Sequence, residues 1–466
     1  MTDLSAPRRP AAVVIGASAA GLFAAAVLAE FADVTLVERD TLPDGPEPRR
    51  GVPQARHAHL VWSGGVRAID DLLPGLVQDV LARGGRLVHI MRDMVSRAPN
   101  EVWFRRFTNT PHRILLCSRD LLDAALRDRV LADRRITLLQ DSTAVALDAT
   151  ARRVTGIQVR TGDDLLRLPA DLTVDASGRG SRTPQWLEDL GLGSVTEREV
   201  DAGVTYATRL FRAPHTGTGI AFPIVNVQAN PAKAPGRGGI ILPVENNRWI
   251  VTLSGTRGGE PTSDPEAFTG FALGLDDPVI GSLIKNATPL GDVTISHATA
   301  NHRRYYENLT HWPDGYTVLG DAIASYNPVY GHGLTVASQG ALALRDILRS
   351  THLTTPGTAR RLQRAATRPV AAAWDLAVGQ DAFYPGATST PPTRIERLLA
   401  RYLDRAVETG ATHPRALAAL LDVMSMEKPA TRLFSPDMLI PMLLGPRKPQ
   451  LRSAPLTDEE RRAAAH

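Results

Sequence analysis

The chain predicts an α/β fold: a Rossmann-like dinucleotide-binding domain interrupted by a β-rich insertion and followed by a helical C-terminal region. Three observations carry this. A strand–turn–helix–strand unit occupies residues 12–38, a second apolar strand ends at Gly320-Asp321, and the stretch between them turns β-rich from about residue 196. The expected boundaries are 1–195 and 301–350 for the two parts of the nucleotide domain, 196–300 for the β-rich substrate domain and 351–466 for the helical region.

In the first unit, Ala12-Val13-Val14-Ile15 is a short apolar run of the buried-strand type. Gly16-Ala17-Ser18-Ala19-Ala20-Gly21 has the G-x-G-x-x-G spacing, with Ser18 replacing the middle glycine. Gly16 permits a sharp turn out of the strand, and Gly21 lets the next helix approach the sheet. The free N–H groups of that helix start, with its dipole, suit a pyrophosphate. Val34 to Val37 reads as the second strand, ending on Glu38-Arg39. An acid about 20 residues beyond the first glycine suits an unphosphorylated ribose 2′-OH, which favours FAD or NAD over NADP. Arg8 and Arg9 ahead of the apolar stretch mimic a secretion signal. Gly16, Ser18 and Gly21 interrupt that stretch, however, and it runs straight into the second strand.

At 466 residues the chain exceeds one compact core. Hydrophobic content of 43% and charged content of 22% are ordinary for a soluble enzyme. No other apolar run approaches the ~20 residues that span a bilayer, so the expectation is a cytoplasmic protein without a membrane partner. The single cysteine, Cys117, excludes an internal disulfide, a Cys-x-x-Cys redox pair and a thiolate zinc site. The net charge of +4 is carried mostly by dispersed arginine. That pattern reads as solvated surface, with no nucleic-acid partner.

Further along, a Pro/Gly-rich loop at 41–48 leads into Arg49-Arg50-Gly51-Val52-Pro53-Gln54-Ala55-Arg56-His57-Ala58-His59-Leu60. Residues 65–83 read as helix, and 102–105 and 114–116 as strands. Ser118 caps a helix opening at Arg119. Strands are expected over 136–147, which includes Val145, over 154–160, and over 172–175, which runs into Ala176-Ser177-Gly178. The β-rich part has strands at 204–211, 219–227, 239–244 and 248–254, with Glu245-Asn246-Asn247 as a hairpin turn. Then come a strand over 316–321, a helix over 334–350, and mostly helix over 357–445 with a loop at 384–393. The tail after Gly445 reads as polar and mobile.

The second strong motif is Gly320-Asp321-Ala322 followed by Asn327-Pro328-Val329-Tyr330-Gly331-His332-Gly333-Leu334. A carboxylate at a strand end can bind a ribityl hydroxyl. The glycines then bring backbone N–H groups and a helix start against a flavin edge. With these residues the chain resembles the single-component FAD-dependent aromatic-hydroxylase-like monooxygenases, whose FAD-binding domain is of the glutathione-reductase type. The resemblance assigns Gly16, Ser18, Ala19, Ala20, Gly21, Glu38 and Arg39 to the adenosine diphosphate. It assigns Arg49, Arg50, Gly51 and Arg119 to the pyrophosphate and flavin side, with Val145, Asp175 and Gly178 also at the cofactor. Gly320, Asp321, Pro328, Gly331, His332, Gly333 and Leu334 fall to the flavin. Two residues separate Asp175 from Gly178 where the family has a direct Asp-Gly pair.

Residues 50–60, Asp175-Ala176-Ser177-Gly178-Arg179-Gly180-Ser181-Arg182, 201–211, 327–333 and Asp422-Val423-Met424-Ser425 are similar to the flavin epoxidases of polyether ionophore biosynthesis. This implies epoxidation of an alkene in a polyketide-type, antibiotic-like natural product through a C4a-hydroperoxyflavin. It also implies O2 as co-substrate and NAD(P)H, or a separate flavin reductase, as electron donor. No side-chain nucleophile is then required, and none is assigned; Gln54, His57 and His332 are the candidates near the ring. His57 and His59 lack a third ligand nearby, so no metal is expected. Trp103, Phe104, Phe211, Phe222 and Trp249 read as core more than cavity lining. The alternatives are an aromatic hydroxylase on the same frame and a non-oxygenating flavin dehydrogenase or reductase. A halogenase is disfavoured because Trp-x-Trp-x-Ile-Pro is absent.

Overall fold

The computed structural model describes residues 8–49, 51–108, 111–150, 152–214, 221–446 and 448–465. A five-stranded parallel sheet runs in the order Tyr316–Val318, Leu172–Asp175, Ala11–Ile15, Asp33–Val37, Ile136–Leu139. Its central strand is apolar throughout because both its faces are covered. Ala12 and Val14 pack towards the helical layer, whereas Val13 and Ile15 pack with Ile157, Val159 and Trp186 under a three-stranded meander. That meander comprises Ser142–Ala149, Val154–Thr161 and Asp164–Pro169. The helix Ala19–Ala29 lies between the sheet and the helices Arg119–Leu131 and Gly333–Ser350. It is buried nearly all round, as its Ala/Val/Leu composition requires.

A six-stranded sheet forms the second layer, in the order Thr294–Ser296, Thr205–Arg212, Arg248–Gly255, Arg237–Val244, Ile224–Val227, Met94–Arg97. All pairs are antiparallel except the last. The hairpin turn at Glu245-Asn246-Asn247 holds both asparagines at positive φ, 60° and 52°, a conformation asparagine tolerates better than most residues. Trp249, Phe211, Phe268 and Val251 fill the core beneath this sheet.

Several expectations change. The helix over 65–83 is two helices, Ser63–Leu72 and Leu76–Ala82, because Pro74-Gly75 breaks it and Gly75 sits at φ 88°. Residues 102–105 form no strand; Trp103 makes only isolated bridges to Arg97 and Leu451. Met94–Arg97, early in the chain, joins the second sheet through Ile224–Val227. The tail after Gly445 is docked rather than loose. Its helix Asp458–Ala465 pairs Glu460 with Arg106, and Ala454, Leu456 and Ala464 enter the core of the second sheet.

The helix Gly333–Ser350 packs on Thr358–Asp381, and Arg394–Thr412, Pro414–Met424 and Pro436–Leu444 follow. The tightest approach in the nucleotide domain is at Gly21, where a Cβ would lie 1.7 Å from the Gly16 carbonyl oxygen. Gly21→Ala should therefore destabilise the fold by about 1–3 kcal/mol, the usual cost of overpacking. Urea titration of the purified variant tests this, and an unchanged midpoint would contradict the packing argument.

Candidate functional site

The turn after the first strand has the geometry of an anion cradle. Gly16 lies at φ 96°, and a Cβ there would come 2.7 Å from the Ala176 carbonyl oxygen. Ser18 is the N-cap of the helix from Ala19 but makes no side-chain cap, and no acid occupies the first turn. The N–H groups of Ala19, Ala20 and Gly21 precede the first intrahelical bond, Leu22 N–H to Ser18 C=O at 2.9 Å. The Ser18 hydroxyl instead accepts a bond from the Arg119 guanidinium at 3.3 Å.

Glu38 is buried at the end of the second strand. Its carboxylate accepts from Ala17 N–H at 2.8 Å, Arg49 Nη2 at 2.9 Å and Asp40 N–H at 3.1 Å. Arg49 is also buried and donates to the Ala17 carbonyl at 2.9 Å. A carboxylate has about four acceptor sites, so one remains for a ribose hydroxyl. Arg39 points outward with Asp40 as its ion partner, and Gly51 leaves room for the Asp40 carboxylate, 2.2 Å from where a Cβ would stand. Arg50 lies outside the described residues. Val145 is the unpaired residue at a β-bulge, between paired Ala144 and Ala146, and its carbonyl accepts from Arg182.

Asp175 is fully buried and faces inward. It accepts from Ser177 N–H, Ser181 Oγ and Thr183 Oγ1 at 2.9, 2.6 and 2.5 Å. It therefore pins the turn through Gly178, which sits at φ 80°. Asp321 differs: no described residue hydrogen-bonds to its carboxylate. Burial raises its pKa, opposed by the Arg119 and Arg179 charges. Gly320, at φ 64°, lies so close to the glycine-rich turn that a Cβ would come 2.8 Å from the Ala20 methyl. Ser18, Arg119, Gly320 and Asp321 thus converge. Gly333, which opens the helix Gly333–Ser350, lies beside the Asp321 carboxylate, and Leu334 follows it into the core.

Asn327 to Gly331 forms the wall between this cleft and a cavity. Gly331 turns at φ 66°, and Trp62 Nε1–H donates to the Tyr330 carbonyl at 2.8 Å. His332 is buried, and its Nε2–H donates to the Met424 carbonyl at 2.9 Å, so the imidazole anchors the loop to the C-terminal helices. Behind the loop lies a network that the motifs do not reveal. Asp381 accepts from Asn301 and Asn327 amides at 2.7 and 2.9 Å and from the Tyr330 hydroxyl at 2.5 Å, while Tyr206 donates to Asn327 Oδ1 at 2.5 Å. Burial raises the Asp381 pKa against the hydrogen bonds from Tyr330, Asn327 and Asn301. Asp381 has no local signal in sequence; only long-range packing brings it here.

The cavity encloses about 180 Å³ between this loop and the second sheet. Leu60, Trp62, Met94, Ile240, Leu242 and Val329 give it apolar walls, and His57, Ser254 and Tyr384 add polar groups. None of Trp103, Phe104, Phe211, Phe222 and Trp249 lines it. Gln54 lies one short helical turn away, in Pro53–Arg56. His57 and His59 do not act as a ligand pair. The His59 Nδ1–H donates to the His57 carbonyl at 2.8 Å, and His57 Nδ1 meets Thr208 Oγ1 at 2.8 Å.

A hydrogen-bond chain fixes the His57 tautomer. Ala58 N–H donates to Thr252 Oγ1, which lies 2.6 Å from Thr208 Oγ1. Each hydroxyl finds an acceptor only if Thr252 donates to Thr208 and Thr208 to His57 Nδ1. His57 Nε2, which has no partner among the described residues, then carries the proton and is a donor. Burial, with Arg56 nearby for His57, lowers the pKa of His57 and of His332 to about 4.

The donor set fits FAD. The anion cradle suits a pyrophosphate, the remaining Glu38 acceptor site a ribose and the unpartnered Asp321 carboxylate a ribityl hydroxyl. Among the described residues one metal-type cluster occurs, His112, Asp422 and Glu427, with ligand atoms within 4.8 Å of one another. Arg67, Lys428 and Arg432 already balance its acids.

The neutral histidines give a pH prediction. The unfolded chain takes up these protons near pH 6.5 and the folded chain only near pH 4, so their contribution to stability is present above 6.5 and lost as pH falls towards 4. His332→Gln should flatten the fall in unfolding free energy between pH 6 and 5 by about 1.4 kcal/mol per pH unit. Urea titrations at the two pH values check this; an unchanged slope would mean that His332 is protonated in the fold.

A protein-family profile described as FAD dependent oxidoreductase matches residues 12–183. Protein Rv3254 of Mycobacterium tuberculosis is 32% identical over 414 residues, 86% of each chain. Among solved structures, PqsL of Pseudomonas aeruginosa, described as a probable FAD-dependent monooxygenase, superposes with a TM-score of 0.58 at 18% identity, over 82% of this chain and 100% of its own. The flavin-dependent halogenase CmlS gives 0.62 at 16%, over 90% and 77%. The anhydrotetracycline hydroxylase OxyS of Streptomyces rimosus gives 0.56 at 18%, over 90% and 76%. These likenesses establish the shared fold, and the Rv3254 match and the profile set the family: the chain belongs to the FAD-dependent oxidoreductases.

Proposed function

We propose that the protein is an FAD-dependent monooxygenase that epoxidises an alkene of an apolar, polyketide-type small molecule. The balance is alkene + O2 + NAD(P)H + H⁺ giving epoxide + NAD(P)⁺ + H2O. The observation that carries the reading is the cavity set directly behind the Asn327–Gly331 loop, with Leu60, Trp62, Met94, Ile240, Leu242 and Val329 as its apolar wall and His57 as an N–H donor at its edge.

FAD, when bound, supplies the two-electron carrier and the activation of oxygen. The cradle at Gly16, Ser18 to Gly21 and Arg119 would hold its phosphates, with Glu38 and Asp321 taking hydroxyls. Gly178, Pro328, Gly331 and Gly333 would let backbone approach the ring. The chain's own work is positioning: Leu60, Trp62, Met94, Ile240 and Leu242 exclude water and align an apolar chain. His57 Nε2–H, which has no partner among the described residues, would donate to an oxygen brought beside it, and Gln54 lies within one turn of it. Electrons come from NAD(P)H directly or through a separate flavin reductase.

The electrostatics favour an alkene over a phenol. Hydroxylating a phenol calls for a base to deprotonate it. His57 presents a donor, and His59 is held neutral with a pKa of about 4, chiefly by burial and then by Arg119. Asp381 is engaged by three donors. No described residue of this wall is a free base suited to neutral pH.

Two measurements test the reading. Turnover of a conjugated polyene ester under ¹⁸O2 should place one heavy oxygen in each epoxide, matched by one NAD(P)H consumed. Consumption without label in the organic product would refute oxygenation and favour a dehydrogenase or reductase. Asp321→Asn should weaken FAD binding about ten- to a hundredfold, the loss of one charge-assisted hydrogen bond. Titration of the apoprotein followed by flavin fluorescence reads this, and unchanged affinity would remove Asp321 from the site.

A further inference from the structure

The charges around the cavity behind the Asn327–Gly331 loop are one-sided. No lysine or arginine is among the described residues that line it. Its one acid, Asp381, is held by two asparagine amides and the Tyr330 hydroxyl, all uncharged donors. Three lining residues have an arginine next to them in sequence, and each arginine is engaged elsewhere. Arg56, before His57, is exposed. Arg237, after Gly236, lies over the Phe271 ring at 5.3 Å. Arg257, after Thr256, donates to the Asp201 carboxylate at 2.7 Å. Arg119, whose charge reaches His59, is paired with Asp123 at 2.7 Å.

The histidines and tyrosines of the wall add no charge near neutral pH. Burial, with the neighbouring arginines, lowers the pKa of His57 and of His59 to about 4. Burial also pushes the Tyr206, Tyr330 and Tyr384 hydroxyls upwards. A carboxylate taken into this wall would lose its water, gain no cation and face Asp381. A buried unpaired charge is far costlier than a buried neutral polar group with one hydrogen bond. A neutral carbonyl oxygen needs only a donor, and His57 Nε2–H has no partner among the described residues.

We propose, on the reading of this cavity as the substrate site, that the substrate enters with its carboxyl group esterified, and that the corresponding free acid binds only in its protonated, uncharged form. In a reaction sequence, a hydrolysis that frees the carboxylate then acts after this enzyme and not before it.

Equilibrium dialysis tests this with the full chain loaded with oxidised FAD and no electron donor, so that binding is read without turnover. The probes are a conjugated triene acid and its methyl ester. The acid-to-ester ratio of dissociation constants should rise about tenfold per pH unit between pH 6 and 8, because the neutral fraction of a carboxyl group falls by that factor above its pKa of about 4–5. At pH 8 the acid should bind at least about a hundredfold more weakly than the ester. Gln228→Arg, which brings a guanidinium to a half-buried position of the lining, should narrow that gap at least about tenfold. A ratio that stays constant from pH 6 to 8, an acid within threefold of the ester at pH 8, or a gap that Gln228→Arg leaves unchanged overturns this inference and leaves the substrate-site reading standing. An ester that does not bind at all overturns the substrate-site reading, and the inference with it.

Discussion

The carboxylate of Asp381 is the joint on which the site depends. It gathers Asn301, from a strand, and Asn327 and Tyr330, from the start and near the end of the Asn327–Gly331 loop. Asn327 in turn accepts from Tyr206 on the second sheet. One buried group thus ties the helical region to the wall between cleft and cavity and, through Asn327, to the second sheet. A buried carboxylate is costly unless hydrogen bonds compensate it, and here three donors occupy three of its about four acceptor sites. The arrangement has a structural consequence: the loop cannot move towards the cavity without leaving Asp381 under-bonded. The cavity wall is therefore as rigid as that network.

The nucleotide half was largely legible because its signals are local. Gly16 is needed for its own positive φ, Gly21 for a backbone contact five residues away, and Glu38 lies one strand further on, so spacing alone carries them. The hairpin at Asn246-Asn247 was legible for the same reason. The rest depends on contacts between distant segments. Asp381 looks like any acid near a helix end until Asn301 and Tyr330 fold against it. Thr208 and Thr252 look like ordinary strand residues, yet they determine which nitrogen of His57 carries a proton. Asp175 shows the opposite limit. Its strand-end position was legible, but its orientation was not, and it turns inward to Ser181 and Thr183. The tail misled for a compositional reason: three small apolar contacts and one ion pair dock a segment that is polar on average.

The C-terminal helices are part of the site rather than an appendage to it. The carbonyl of Met424 receives the His332 N–H, and the next carbonyl, that of Ser425, receives Gly64 N–H. Gly64 must be glycine for this approach, since a Cβ would stand 2.1 Å from the Ser425 oxygen. Two residues before Met424, Asp422 is neutralised by Arg432 and Lys428 beside buried His112. The charges near this cluster balance with protein cations alone, so the acids hold the helix end in place. Displacing the end of Pro414–Met424 would release His332 and Gly64 together. The segment Asp422-Val423-Met424-Ser425, some ninety residues beyond the Asn327–Gly331 loop, therefore belongs with that loop for a mechanical reason: it supplies the carbonyls that keep the loop and the cavity's Trp62 side in register.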